Sequence, residues 1–99
     1  MVLDSFKLND SLAIVTGGAG LLGKKHVEAL LEANAEVVIF DINENALKDV
    51  QKYFLEKYEK SIMALKVDIT KEAEIINAKE TILGHFKKYP NILINNAAI

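Results

Sequence analysis

The feature that most constrains this chain is a short apolar run that stops at a cluster of glycines. Leu12-Ala13-Ile14-Val15 has no polar face, and Thr16-Gly17-Gly18-Ala19-Gly20-Leu21-Leu22-Gly23 follows it directly. A run of this length without alternation reads as a strand covered on both faces, as strands of parallel sheets are. Parallel neighbours need a crossover, which is usually a helix. The residues after the glycines supply one: Leu22, His26, Ala29, Leu30 and Ala33 recur at helical spacing, and Asn34, tolerant of a left-handed backbone, ends it.

The alternation then repeats. Glu36 to Phe40 is β-branched and aromatic and ends at Asp41, which makes it a second strand. Asn43 is a good N-cap for a helix running to Lys60, with Leu47, Val50, Phe54 and Tyr58 along one face. Ile62 to Val67 reads as a third strand ended by Asp68. Thr70 is expected to cap a third helix carrying Ile75, Ile76, Ile82, Leu83 and Phe86, closed from outside by Pro90. Ile92-Leu93-Ile94 is a fourth strand leading into Asn95-Asn96-Ala97-Ala98. Such alternation makes right-handed βαβ units. With the fourth strand beside the first, on the side away from the second, the sheet order is 3-2-1-4. The expected fold is therefore α/β, a Rossmann-like three-layer sandwich around a parallel four-stranded sheet. Residues 1–99 would form one partial domain of this kind, with a ligand crevice at the carboxyl ends of strands one and four, where the order reverses.

Composition excludes several function classes. Twelve Lys plus Arg against 14 Asp plus Glu leaves a formal charge of −2, with no excess of basic groups to meet a nucleic-acid backbone. The absence of cysteine rules out disulfides, thiolate metal sites and a cysteine nucleophile, and it suits a reducing compartment. No apolar run approaches the roughly 18 residues of a membrane span, and Asp4 interrupts the start. A cytoplasmic protein without membrane partners is expected.

A glycine-rich loop between a strand and a helix is the setting in which backbone amides and a helix dipole face phosphates. Gly17 can take the tight turn, Gly20 can let a pyrophosphate approach the backbone, and Gly23 can let the helix pack closely on the sheet. Asp41 lies 18 residues beyond Gly23, at the end of the second strand, where a carboxylate can accept hydrogen bonds from adenosine ribose hydroxyls. Its charge would repel a 2′-phosphate, and no arginine follows it, which favours NAD over NADP. Without a ligand, the same residues read as a glycine turn and an Asx turn.

Taken in order, the Thr-Gly loop at Thr16, the strand-end acid Asp41, the Asp68-Ile69-Thr70 turn and the Asn95-Asn96-Ala97 stretch resemble the short-chain dehydrogenase/reductase family over essentially all 99 residues. The resemblance implies that Gly17, Gly20, Leu22 and Gly23 meet the pyrophosphate, Asp41 and Ile42 the adenosine, and Asp68 and Ile69 the adenine. It further implies that Asn95, Ala97 and Ala98 line the cofactor near the nicotinamide-side ribose, with Asn95 also tying the fourth strand to its neighbours. The glycines follow the GxxGxxG spacing of the family's extended, nucleotide-sugar branch, whereas the Asn-Asn pair matches the classical branch. Ala98 replaces a usual glycine and would crowd the cofactor if its φ were positive.

Family catalysis uses a Ser, a Tyr and a Lys four residues after the Tyr, all well beyond the Asn-Asn-Ala signature. The 99 residues hold none of them in that place, so no catalytic residue is assigned and the chain is expected to be inactive alone. Tyr53 and Lys57 match the Tyr-Lys spacing but fall on the second helix, as i,i+4 neighbours remote from the crevice. His26 and His85 are read as structural. The parent activity implied is hydride transfer between NAD and an alcohol or carbonyl. Alternatives are an extended-branch enzyme acting on nucleotide sugars, or a non-catalytic module that senses NAD or joins partners. Ile92, Leu93 and Ile94, with no Lys or Pro among them, would form an exposed edge, and self-association through that strand is expected.

Overall fold

The computed structural model describes residues 8–58 and 62–96. Its elements alternate as the hydrophobic pattern dictates: β1 (Leu12–Thr16), α1 (Leu21–Glu32), β2 (Glu36–Asp41), α2 (Glu44–Tyr58), β3 (Ile62–Lys66), α3 (Glu72–Phe86) and β4 (Ile92–Asn95). All pairings are parallel, and the sheet order is β3-β2-β1-β4. The two central strands are the ones without a polar face. Every residue of β1 and Val37 to Phe40 of β2 are buried, whereas β3 and β4 at the sheet's edges are only partly covered.

Two apolar clusters fill the layers. On one face, Val15, Val37, Ile39 and Ile62 of the sheet meet Val27 and Leu31 of α1 and Leu47, Val50 and Phe54 of α2. On the other, Leu12, Ile14, Val38 and Phe40 meet Ala78 and Ile82 of α3. Alternate residues of β1 and β2 thus serve opposite layers, as the period-two pleat requires. Each fully buried Val, Leu, Ile or Phe contributes roughly 1.5–3 kcal/mol.

The α2 stripe of Leu47, Val50 and Phe54 agrees with the sequence pattern, and Asn43 caps that helix by accepting a hydrogen bond from Ala46 N at 3.0 Å. Asn34 has φ 72°, the left-handed stop expected of it. Two expectations change. The inward face of α1 is Gly23, Val27 and Leu31, rotated from the series that begins at Leu22, which stands 58% exposed. The cause is steric: a Cβ on Gly23 would lie 2.1 Å from Gly17 O and 2.8 Å from Gly18 Cα. The glycine therefore has to face the turn, and it brings helix against loop where the sequence suggested helix against sheet. Thr70 does not cap α3, whose N-cap is Lys71. Its hydroxyl donates instead to Asp68 Oδ1 at 2.6 Å.

The amino-terminal end of the sheet is laced by polar contacts. Asn91 Oδ1 accepts from Leu12 N at 2.8 Å while Asn91 N donates to Leu12 O at 2.9 Å, so one asparagine brackets the start of β1. Lys88 Nζ pairs with Glu36 at 2.6 Å and ties the segment after α3 to the start of β2.

The two helical glycines are predicted to respond oppositely to alanine. A Cβ on Gly84 meets nothing within 4 Å. Gly84→Ala is expected to stabilise the chain by about 0.5–1 kcal/mol. Gly23→Ala is expected to cost about 1–3 kcal/mol, through displacement of α1 from the turn. Thermal denaturation of the two variants beside the parent chain measures both.

Candidate functional site

The carboxyl ends of β1, β2 and β3 open into a cleft of about 510 Å³. That volume lies within the roughly 300–1,000 Å³ of small-molecule sites. The cleft is lined by Gly17 and Gly20 of the loop, Asp41 and Ile42 after β2, Asp68 and Ile69 after β3, and Asn96 after β4, with Thr16, Phe40, Val67 and Thr70 between them. Six of the expected site residues therefore converge on one cavity: Gly17, Gly20, Asp41, Ile42, Asp68 and Ile69. Leu22 and Gly23 are not in the lining, since Leu22 projects from the first turn of α1 and Gly23 is buried against the loop. Asn95 also falls outside it, and Ala97 and Ala98 lie outside the described residues.

The loop has the shape its glycines permit. Gly17 adopts φ 67°, a left-handed conformation that excludes a branched side chain without strain, and its amide donates to Phe40 O at 2.7 Å. Gly20 N donates back to Gly17 O at 3.1 Å, which closes the turn at the N-cap of α1. Gly18 is a third constrained position, because a Cβ there would come within 2.6 Å of the Ile39 side chain.

Helix ends divide the electrostatics. The first turn of α2 carries Glu44 and that of α3 carries Glu72 and Glu74, whereas the first turn of α1 carries no acid and its N-cap makes no side-chain hydrogen bond. The positive end of α1 is thus left for an anion from outside.

The acids around the cleft are held in place. Asp41 accepts from Ala19 N at 3.2 Å through Oδ2 and from Asn43 N at 3.1 Å through Oδ1. Asp68 Oδ1 accepts from both the hydroxyl and the amide of Thr70. Those bonds, with a smaller contribution from the Lys71 charge, hold the Asp68 carboxyl below its ordinary range.

Beyond its ladder to β1, the end of β4 is fastened through the Thr16 hydroxyl. Thr16 Oγ1 donates to Asn95 Oδ1 at 2.8 Å and accepts from Asn96 N at 3.0 Å, and Asn96 Nδ2 reaches Gly17 O at 3.4 Å. Asn95 does tie the fourth strand to its neighbour, as expected of it. Thr16 and Asn96 were not among the expected site residues. In the sequence Thr16 shows only as the polar end of an apolar run; that it is the one buried polar side chain among the described residues emerges with the fold.

The decoys lie elsewhere. Tyr53 is 52% exposed on α2, and Lys57 is bonded to Glu28 at 3.1 Å, which raises its pKa and keeps it charged. His85 sits edge-on to Phe86 with ring centroids 4.7 Å apart. Neither histidine lines the cleft. Among the described residues no group of three or more His, Cys, Asp or Glu could hold a metal ion, and no helix is long and apolar enough to cross a membrane.

The family model for short chain dehydrogenases matches residues 11–99. A short chain dehydrogenase/reductase of Gibberella zeae is 42% identical over 92 residues, which are 93% of this chain and 33% of the relative. An NAD-dependent glycerol dehydrogenase of Listeria innocua is 37% identical over 97 residues, covering 95% of this chain and 35% of its own. Among solved structures, the RhlG/NADP active-site complex of Pseudomonas aeruginosa superposes with a TM-score of 0.79 at 32% identity, over 95% of this chain and 37% of that one. The chain thus spans about a third of the length of the curated relatives it matches. With a parallel 3-2-1-4 sheet, a glycine turn at the head of α1 and this match over nearly its whole length, the chain belongs to the short chain dehydrogenase family.

Proposed function

We propose that these residues form the dinucleotide-binding part of an NAD-dependent oxidoreductase that moves hydride between the cofactor and an alcohol or carbonyl. The observation that carries the reading is Asp41. It is a carboxylate at the carboxyl end of β2, in a cleft whose described lining holds two aspartates and no Lys, in a chain with no arginine. A 2′-phosphate would meet uncompensated negative charge there, whereas free ribose hydroxyls would find an acceptor. In this reading Gly17, Gly20, Leu22 and Gly23 receive the pyrophosphate at the uncapped end of α1. Asp41 and Ile42 hold the adenosine ribose, Asp68 and Ile69 border the adenine, and Asn95 lies toward the nicotinamide. When bound, the nicotinamide supplies the hydride acceptor or donor. The protein's part is to orient it, and proton transfer falls to family residues outside this sequence.

A second proposal concerns a partner. Among the described residues β4 pairs only with β1, and Leu93 in its middle is 66% exposed. The segment Asn91-Ile92-Leu93-Ile94-Asn95 reads the same in both directions. Two copies pairing antiparallel about Leu93 would set Ile92 against Ile94 and Asn91 against Asn95, which is the self-complementarity of a twofold interface. We infer that the 99-residue chain self-associates along this edge.

Three outcomes are expected. Asp41→Ala weakens NAD binding by about 1.5–3 kcal/mol, the worth of hydrogen bonds to a charged group, or roughly 10- to 150-fold, and narrows the gap to NADP. Titration calorimetry with both cofactors checks this, and unchanged NAD affinity removes Asp41 from the site. The purified chain turns over no cofactor with alcohols or carbonyls at any pH; turnover abolished by Tyr53→Phe would restore the rejected tyrosine. Sedimentation equilibrium shows a dimer that Leu93→Lys dissociates, and a monomer at every concentration refutes the edge interface.

A further inference from the structure

We propose that Asp41 is also a positioning residue for the glycine loop, and that its carboxylate sets the direction of the loop's amides before any ligand arrives. The loop runs from Gly17 to Gly20. Its ends are held through Gly17 N to Phe40 O and Gly20 N to Gly17 O, with the Asn96 side-chain amide also reaching Gly17 O at 3.4 Å. Its middle is held by Asp41, whose Oδ2 accepts from Ala19 N at 3.2 Å across 22 residues of sequence. The other oxygen accepts from Asn43 N at 3.1 Å, at the entrance to α2. One carboxylate therefore ties the β1–α1 loop to the β2–α2 loop, and the two segments that flank the adenosine end of the cleft are braced against each other.

Several features make this tie consequential. Glycine at three of the loop's four positions removes the side chains that would otherwise restrict its backbone, and Gly17 is committed to φ 67°. Charge-assisted hydrogen bonds from amides to a carboxylate are about twice as strong as neutral ones. A carboxylate has roughly four acceptor sites, so two amides leave capacity for ribose hydroxyls. The same group can then brace the loop and read the ribose, and loss of its acceptor is felt at the pyrophosphate even when no ribose hydroxyl is present.

That last consequence separates the two roles. The ligand arm rests on the dinucleotide reading, and the probes are ADP and 2′,3′-dideoxy-ADP, titrated calorimetrically into the 99-residue chain and into its Asp41→Ala and Asp41→Asn variants. Asparagine keeps an acceptor for Ala19 N while losing the charge. The dideoxy nucleotide is expected to bind Asp41→Asn several-fold more tightly than Asp41→Ala; equal affinities in the two variants overturn the positioning role, because an acid that only reads ribose is silent toward this ligand. If ADP binds none of the three chains, the dinucleotide reading fails, and the positioning role is decided without ligand. Amide hydrogen exchange at Ala19 is expected to be slowed in the parent chain and about tenfold faster in Asp41→Ala, near the lower value of a hydrogen bond to a charged group. Fast exchange at Ala19 in the parent chain overturns the proposal whether or not the alanine variant folds.

Discussion

Helix α1 can approach the head of β1 only because position 23 has no side chain. A single Cβ there would sit 2.1 Å from Gly17 O, and the turn it would strike is already committed to a left-handed residue at Gly17. This contact sets the rotation of α1 and thereby sends Val27 and Leu31 into the core. It leaves the first-turn amides of α1 beside the turn that lines the cleft. A core choice and a site choice are thus made by one contact, since a helix held further from its loop would lose both.

The rest of the cleft follows from sheet topology. Because β4 joins β1 on the side away from β2, α1 and α2 cover one face of the sheet while α3, which leads back to β4, covers the other, and the ends of β1, β2 and β3 open into a shared hollow. Thr16 holds the end of β4 in that place. It is buried at the last position of β1, and its hydroxyl donates to one asparagine and accepts from the next, so the end of β4 is fastened to the loop's origin. The acids are arranged with similar economy: Asp68 is occupied by Thr70, Asp41 by Ala19 and Asn43, while the helix that faces the hollow carries no acid in its first turn.

Much of this was legible in the residue pattern. The apolar runs at Leu12 and Val37 lack a polar face, which suits a strand covered on both faces of a parallel sheet, and the spacing of Leu47, Val50 and Phe54 allows one helical face. The candidate site was legible where position in the chain determines position in space, as for Gly17, Gly20, Asp41 and Asp68, each at the end of a strand or in the segment that follows it. Thr16 and Asn96 were missed because their role is a pairing between residues 80 apart, which no local pattern encodes. Thr70 was misread as a helix cap because a threonine hydroxyl before a helix can either accept from a first-turn amide or donate to a nearby carboxylate, and here it donates to Asp68, two residues back.

What the sequence by itself determined, then, was the order and kind of the elements, the parallel sheet and the residues gathered at its carboxyl ends, because hydrophobic period and turn chemistry are local properties. What only the tertiary structure decided was the phase of α1, the bracing of the glycine loop by Asp41, and the fastening of β4 through Thr16. Helical period leaves rotation free within one residue when apolar groups lie on neighbouring faces, as Leu22 and Gly23 do. The choice between them is steric, made where the Gly23 backbone meets the Gly17 carbonyl, and that meeting exists only once strand, turn and helix are packed together.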